Sequence, residues 1–174
     1  MDAIAWVKEA DALFEHGNYQ EAVGFYDKAL KADPSNAKLW NSRGLALCHL
    51  GRYEEAIECF DVALEILPES AEVWNNKGVA LSKLHRYEDA TLYFIQVVEI
   101  NPLYSDAWYN KGEALRRQDK YAEAIEDLDK AIEMEPQHAK AWNSKGLALK
   151  ALGRDAEAIA AFAKAVAQET KSGD

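Results

Sequence analysis

Residues 37–70, AKLWNSRGLALCHLGRYEEAIECFDVALEILPES, hold one complete copy of the pattern that decides the fold. The five tryptophans and the four prolines recur at intervals of 34 residues: Trp6, Trp40, Trp74, Trp108 and Trp142, and Pro34, Pro68, Pro102 and Pro136. Rare residues recur at a fixed interval only when each one occupies an equivalent place in the structure. The sequence therefore predicts a repeat array.

The interval divides almost the whole chain into five units, which are residues 3–36, 37–70, 71–104, 105–138 and 139–172. Each unit in such an array buries its apolar face only against its neighbours. We therefore expect a single array over residues 1–174, with no second domain.

Each unit is predicted to be two helices joined by a turn. Apolar and small residues recur at steps of three and four in two blocks, one that starts at Trp40 and one that starts at Ala56. Gly51 lies between them and can adopt the left-handed backbone that ends a helix. Pro68 cannot continue the second helix, and Ser70 is a candidate N-cap for the next one.

A glycine recurs inside four of the first helices, as Gly44, Gly78, Gly112 and Gly146. Each should cost about 1 kcal/mol relative to alanine. We therefore expect close helix packing at these points, opposite an alanine of the second helix such as Ala56 or Ala124, with the aromatic side chains at the flanks. Gly112→Leu should overpack the contact by about 1 to 3 kcal/mol.

These residues at these offsets resemble the tetratricopeptide repeat, over essentially the whole chain. The resemblance implies an all-α, right-handed superhelical α-solenoid of five helix-turn-helix units. It also implies that the first helices line a concave groove for peptides or partner proteins. The fifth unit departs from the family with Asp155 and Thr170 in place of tyrosine and proline. A second departure is a cation before each glycine, whose orientation the sequence does not predict: Arg43, Lys77, Lys111 and Lys145.

The net charge of −10 is unevenly distributed, since the first helices are net positive and the second helices strongly acidic. An acidic outer surface argues against nucleic-acid binding, which requires a basic footprint. No segment has the length and apolarity of a membrane span, and the N-terminus lacks the pattern of a signal peptide. Cys48 and Cys59 match no metal or disulfide pattern and are predicted to be reduced packing residues. We expect a cytoplasmic protein.

The resemblance places an amide row in the groove, together with Tyr109: Asn41, Asn75, Asn76, Asn110 and Asn143. Carboxamides both donate and accept hydrogen bonds, so the row could pair with the backbone of an extended peptide. The alternative is that the amides only cap or bridge neighbouring helices. Basic residues gather late in the groove and favour an acidic ligand: Arg116, Arg117, Lys140 and Lys150. Of the family's carboxylate clamp for chaperone tails only Asn110 and Lys140 are matched, so that mode is not expected.

No catalytic, cofactor or metal site is expected, because the four histidines occupy unrelated positions without catalytic partners. The predicted function is that of a protein-interaction scaffold that binds an extended polar or acidic peptide, and a docking module of an enzyme complex stays open. A different alternative is a self-assembling structural protein, a homo-oligomer joined through uncapped terminal repeats. Apolar surface is expected on the last helix at Ile159, Phe162 and Val166.

Overall fold

The computed structural model describes residues 2–169, and within them it contains ten α-helices and no β-strand. The helices are α1 (Ala3–Glu15), α2 (Tyr19–Ala32), α3 (Ala37–His49), α4 (Tyr53–Ile66), α5 (Ala71–Lys83), α6 (Tyr87–Ile100), α7 (Ser105–Arg117), α8 (Tyr121–Met134), α9 (Ala139–Ala151) and α10 (Asp155–Glu169). They follow one another as five pairs, one pair for each 34-residue unit. The predicted all-α fold of helix-turn-helix repeats is confirmed.

The chain divides into two compact units between His85 and Arg86. The first compact unit holds α1 to α5 and the second compact unit holds α6 to α10, so the division falls between the two helices of the third repeat. Within each compact unit every helix packs against the next one along the chain. The continuity of a single array over residues 1–174 stays a prediction. None of the helices in the described part of the chain is long and apolar enough to span a bilayer.

Left-handed backbone occurs at the turn inside every repeat. Gly51 has a φ of 73°, as predicted, and Gly17 and Gly153 have equivalent values of 79° and 72°. In the third and fourth repeats a residue with a side chain takes this conformation, since His85 and Asp119 have φ values of 60° and 61°. The geometry is common to all five turns, but only three of them have the residue best suited to it.

In the second to fifth repeats a tryptophan joins the first helix to the end of the preceding repeat. The indole Nε1–H donates a hydrogen bond to the carbonyl of the proline six residues earlier: Trp40 to Pro34 (2.8 Å), Trp74 to Pro68 (2.7 Å), Trp108 to Pro102 (2.8 Å) and Trp142 to Pro136 (3.0 Å). Ser70 is the N-cap of α5, as predicted, and accepts a hydrogen bond from the Val73 N–H at 3.4 Å. The tryptophan and proline periods therefore share one structural cause.

Close packing at the helical glycines is confirmed, but the expected partner is wrong. A Cβ atom at the glycine would lie under 3 Å from a side chain of the second helix: 2.5 Å for Gly44 and Phe60, 2.8 Å for Gly112 and Leu128, and 2.6 Å for Gly146 and Phe162. These partners lie four residues after the predicted alanines. Ala124 adds only its carbonyl oxygen, 3.1 Å from the same point at Gly112. The side chain that covers the glycine is therefore the phenylalanine ring or the leucine, which lies one helical turn after the predicted alanine.

Candidate functional site

The recurring cations of the first helices point toward second helices. Arg43 Nε lies 2.7 Å from Asp27 Oδ1, and Lys77 and Lys145 form the equivalent ion pairs with aspartates of the preceding repeat. Each of these pairs joins residues 16 positions apart. These side chains are therefore part of the joints between repeats.

Lys111 departs from this arrangement. Ile95 stands where the other repeats have the aspartate, so Lys111 pairs with Asp127 of its own repeat, 3.0 Å from Nζ to Oδ2. The Asp127 side chain is only 6% exposed. Its burial raises the pKa of the carboxyl, although Lys111 opposes that shift.

A cavity of about 450 Å³ lies on the first-helix side of the first compact unit, between α3 and α5. Its lining consists of Leu45, Cys48, His49, Tyr53, Asn76, Val79, Ala80 and Lys83. Apolar side chains therefore share the walls with one amide, one imidazole and one ammonium group. A cavity of this kind can accept an apolar side chain while polar groups orient the ligand.

Asn76 is oriented in this cavity by Asn41, another residue of the predicted amide row, which Glu72 holds in turn. Its Nδ2 donates to Asn41 Oδ1 at 3.0 Å, and Asn41 Nδ2 donates in turn to Glu72 Oε1 at 2.8 Å. Asn41 is 6% exposed and the neighbouring Asn75 is 8% exposed. Bridging between helices, the alternative considered for the amide row, thus occurs at Asn41. Contact of the row with a peptide stays a prediction.

Aromatic side chains of the first repeat hold His49 in place. The imidazole stacks on Tyr19 with ring centroids 4.3 Å apart and an interplanar angle of 9°. Phe14 meets the same imidazole edge-on at 5.4 Å. The imidazole of His49, although exposed, is therefore oriented in the cavity wall by two aromatic contacts.

The two cysteines are free thiols, with Cys59 buried and Cys48 half-buried. Burial, and then the electrostatic interaction with Cys59, raise the pKa of the Cys48 thiol to about 11. Since the thiolate is the reactive form, Cys48 is a poor nucleophile at neutral pH although it lines the cavity. The arrangement agrees with the predicted packing role.

In the second compact unit the predicted groove residues lie on α7 and α9. The Tyr109 ring packs against His138, 4.7 Å between centroids, and His138 Nδ1 accepts a hydrogen bond from the Ala141 N–H at 3.2 Å. His138 is thus the N-cap of α9. Asn110 is half-buried, and the remaining predicted residues of α9 are exposed: Lys140, Asn143 and Lys150.

Glu113 neutralises part of the predicted basic cluster. Arg116 donates two hydrogen bonds to its carboxylate, at 2.9 and 2.6 Å, and Arg117 donates one at 3.1 Å. Ser144 of α9 adds a fourth at 2.9 Å. Burial opposes ionisation of Glu113, but these donors outweigh it and lower the pKa of the carboxyl. The positive charge available to a ligand here comes mainly from α9.

The predicted apolar residues of α10 are only partly uncovered. Ile159 and Val166 are 69% and 59% exposed, whereas Phe162 is half-buried against Gly146. In residues 2–169 no group of three or more histidine, cysteine or acidic side chains could hold a metal ion.

Family models described as tetratricopeptide repeat match residues 7–71, 71–104, 105–138 and 128–160. The crystal structure of MamA is similar, with 29% identity, a TM-score of 0.87 and coverage of 94% of this chain and 96% of MamA. YrrB, described as a TPR protein with an unusual peptide-binding site, has 27% identity and a TM-score of 0.80 over 97% of this chain and 87% of its own. MamA from Desulfovibrio magneticus RS-1 has 23% identity and a TM-score of 0.92 over 99% of this chain and 97% of its own, a likeness of fold. No curated protein sequence matches the chain.

Proposed function

Since this chain belongs to the tetratricopeptide repeat family, we propose that it is a protein-interaction scaffold whose first-helix side binds an extended polar or acidic peptide of a partner protein. The family and the structural likeness to MamA and YrrB support the scaffold role. The observation that carries the peptide proposal is the cavity of about 450 Å³ between α3 and α5, with Asn76 in its wall.

The lining of this cavity suggests the chemistry of the peptide. Leu45 and Val79 favour an apolar side chain, and Asn76 offers a carboxamide that Asn41 already orients. Such a fixed amide can pair with the backbone of an extended chain whatever its sequence. Lys83 is exposed in the lining and favours an acidic neighbour of the apolar residue. The proposed ligand is thus an extended segment with an apolar residue close to an acidic one.

The second compact unit offers a separate surface of the same character. Tyr109 and Asn110 on α7 lie beside the exposed side chains of α9, and two of those are lysines. Direct peptide contact is proposed for Asn110, Asn143, Lys140 and Lys150. Arg116 is held by Glu113, so its proposed role is to support this surface.

Other partners fit the chain less well. The net charge is −10 and the negative charge is concentrated on the second helices, which opposes the phosphate backbone of nucleic acids.

Free Cys48 and Cys59 suit a reducing compartment, so a cytoplasmic location is part of the proposal.

A peptide library displayed on phage would identify ligands, and calorimetry would then measure the affinity of the best one. The double substitution Asn76→Ala and Lys83→Glu should weaken binding by at least about tenfold, because it removes an oriented amide and reverses a charge in the cavity. Lys28→Glu, on the exposed surface of α2, is the matched charge control. Asn110→Ala, combined with Asn76→Ala, tests the amide row over both compact units. Unchanged affinity in all these groove variants would end the peptide proposal.

A further inference from the structure

The last helix of the described chain has an uncovered apolar face. Ile159 and Val166 of α10 are 69% and 59% exposed. The residues 34 positions earlier on α8, Ile125 and Ile132, are each only 8% exposed. Ile125 belongs to a buried cluster with Ala148, and Ile132 to one with Ala141, so α9 covers them both. The chain itself therefore shows what kind of element covers this face, namely the first helix of a repeat.

The sequence of α10 is suited to such a contact. Three exposed alanines of α10 stand where α8 has acidic residues: Ala160 for Glu126, Ala163 for Asp129 and Ala167 for Glu133. Helix α10 therefore has fewer charged residues on this side than α8 has at the equivalent positions.

The first helix of the chain has the complementary uncovered face. Ala12 of α1 is exposed, whereas its equivalents in the other four repeats are 0 to 2% exposed: Ala46, Ala80, Ala114 and Ala148. Ala148 is buried partly by Ile125 of the preceding repeat. The chain thus has both halves of one joint, one on α1 and one on α10.

The charges at the two ends also change together. Inside the chain Lys145 pairs with Asp129, and the same pattern joins the second and third repeats. Glu9 occupies the position of the cation in α1, and Ala163 occupies that of the aspartate in α10. An aspartate at residue 163 would repel Glu9 of an adjoining repeat, and the alanine removes that repulsion.

We propose that α10 of one molecule binds α1 of a second copy in the geometry that joins α8 to α9 within the chain. The contact is heterologous, so each molecule keeps one free α1 and one free α10, and the assembly is open-ended unless it closes into a ring. The joint uses none of the residues that line the cavity between α3 and α5. Variants of the joint and variants of the cavity therefore test the two proposals separately.

Light scattering at increasing protein concentration tests the contact. The parent protein should grow in mean mass beyond the monomer, and Ile159→Glu should remain monomeric because it places a charge in the joint. Leu103→Glu is the matched control, since Leu103 is 81% exposed but lies outside α10, and it should associate like the parent. A parent protein that stays monomeric at every concentration would overturn the proposal.

Mixing distinguishes this contact from a two-fold one. Ala12→Glu blocks α1 and leaves α10 intact, whereas Ile159→Glu does the reverse. Each variant alone should be monomeric, and the two together should form a one-to-one heterodimer. If α10 paired with α10, Ala12→Glu would dimerise by itself and the mixture would gain nothing, which would refute a head-to-tail joint.

A charge exchange tests the register of the joint. Ala163→Asp should raise the dissociation constant roughly tenfold, because it places a carboxylate beside Glu9 of the next copy. The added substitution Glu9→Lys recreates the internal lysine–aspartate pair and should restore association. Both positions are exposed, and thermal melting would verify that the variants fold. No loss with Ala163→Asp, or no recovery in the double variant, would contradict the proposed register.

Discussion

Replacing Gly44 by alanine should destabilise the protein, although alanine is the better helix former. A Cβ atom at residue 44 would lie 2.5 Å from Phe60 Cε1 and 2.9 Å from Cδ1 and from Cζ. Ordinary van der Waals contacts of a Cβ atom begin at 3.4 Å. Phe60 is fully buried, so its ring must move within a filled core by about 1 Å.

The magnitude follows from two opposing terms. Alanine in a helix interior gains about 1 kcal/mol over glycine. Forcing a methyl group into a well-packed core costs about 1 to 3 kcal/mol. We therefore expect Gly44→Ala to change the free energy of unfolding by between zero and about −2 kcal/mol, as the overlap with three ring atoms places the cost toward the upper end.

Gly24→Ala is a matched control, because Gly24 is also helical but has nothing within 4 Å of its added Cβ atom. It should raise the free energy of unfolding by about 1 kcal/mol. Urea denaturation followed by circular dichroism at 222 nm measures both variants. Subtracting the two changes in the free energy of unfolding cancels the helix propensity and leaves the cost of the contact with Phe60, about 1 to 3 kcal/mol.

A double-mutant cycle identifies the ring as the cause. In a Phe60→Ala background the overlapping atoms are absent, so Gly44→Ala should become stabilising, like Gly24→Ala. If Gly44→Ala proved as stabilising as Gly24→Ala in the parent protein, the packing argument for the recurring glycine would be wrong.

Three further changes have expected outcomes that thermal or urea denaturation measures. Trp40→Phe should cost about 1 kcal/mol more than Trp6→Phe, because the Trp40 indole donates a hydrogen bond to the Pro34 carbonyl, whereas the Trp6 indole makes no such bond within residues 2–169. Asp119→Gly should raise stability by up to about 1 kcal/mol, because it relieves a side chain at a φ of 61°. Lys111→Met should cost about 3 kcal/mol at pH 7, since it leaves the buried Asp127 with only the more distant cation of Lys130, 3.9 Å away. Burial already raises the pKa of Asp127. As the pH falls through that raised pKa, the carboxyl of the folded variant takes up a proton and the cost of its buried charge disappears. The loss of stability in Lys111→Met should therefore become smaller at lower pH.

Each of these outcomes has a contrary result. Equal losses of stability in Trp40→Phe and Trp6→Phe would show that the indole hydrogen bond contributes no stability beyond that of packing. A loss in Asp119→Gly would mean that the hydrogen bond from Tyr121 to Asp119, 2.5 Å long, outweighs the backbone strain. A deficit in Lys111→Met that is constant with pH would show that Asp127 is not the affected group.

The repeat unit could be predicted because local chemistry determines it. Gly51 and Ser70 have the predicted turn and cap roles, and both act within a few residues of the chain. The place of Gly44 on the helix was also predictable, but its partner was not. Whether the glycine meets Ala56 or Phe60 depends on how far one helix is shifted along the other, and both residues lie on the same face of α4.

The peptide-binding role of the amide row stays a prediction. One member of the row, Asn76, lines a cavity, whereas Asn41 is buried and orients Asn76. The sequence does not distinguish the lining residue Asn76 from the orienting residue Asn41, because both are asparagines and their positions within their repeats are adjacent. Nor does it show that Glu113 holds Arg116, since that pair depends on side-chain conformation.

The sequence alone determined the 34-residue period, the helix pairs and the turns, because each is encoded by rare residues, apolar spacing and backbone preferences that act locally. Tertiary structure decided where the recurring cations point, why tryptophan and proline recur together, and which face of α10 is left uncovered. Those features join residues that are distant along the chain or belong to different helices. They depend on the distance and register of packed helices, which no single stretch of sequence specifies.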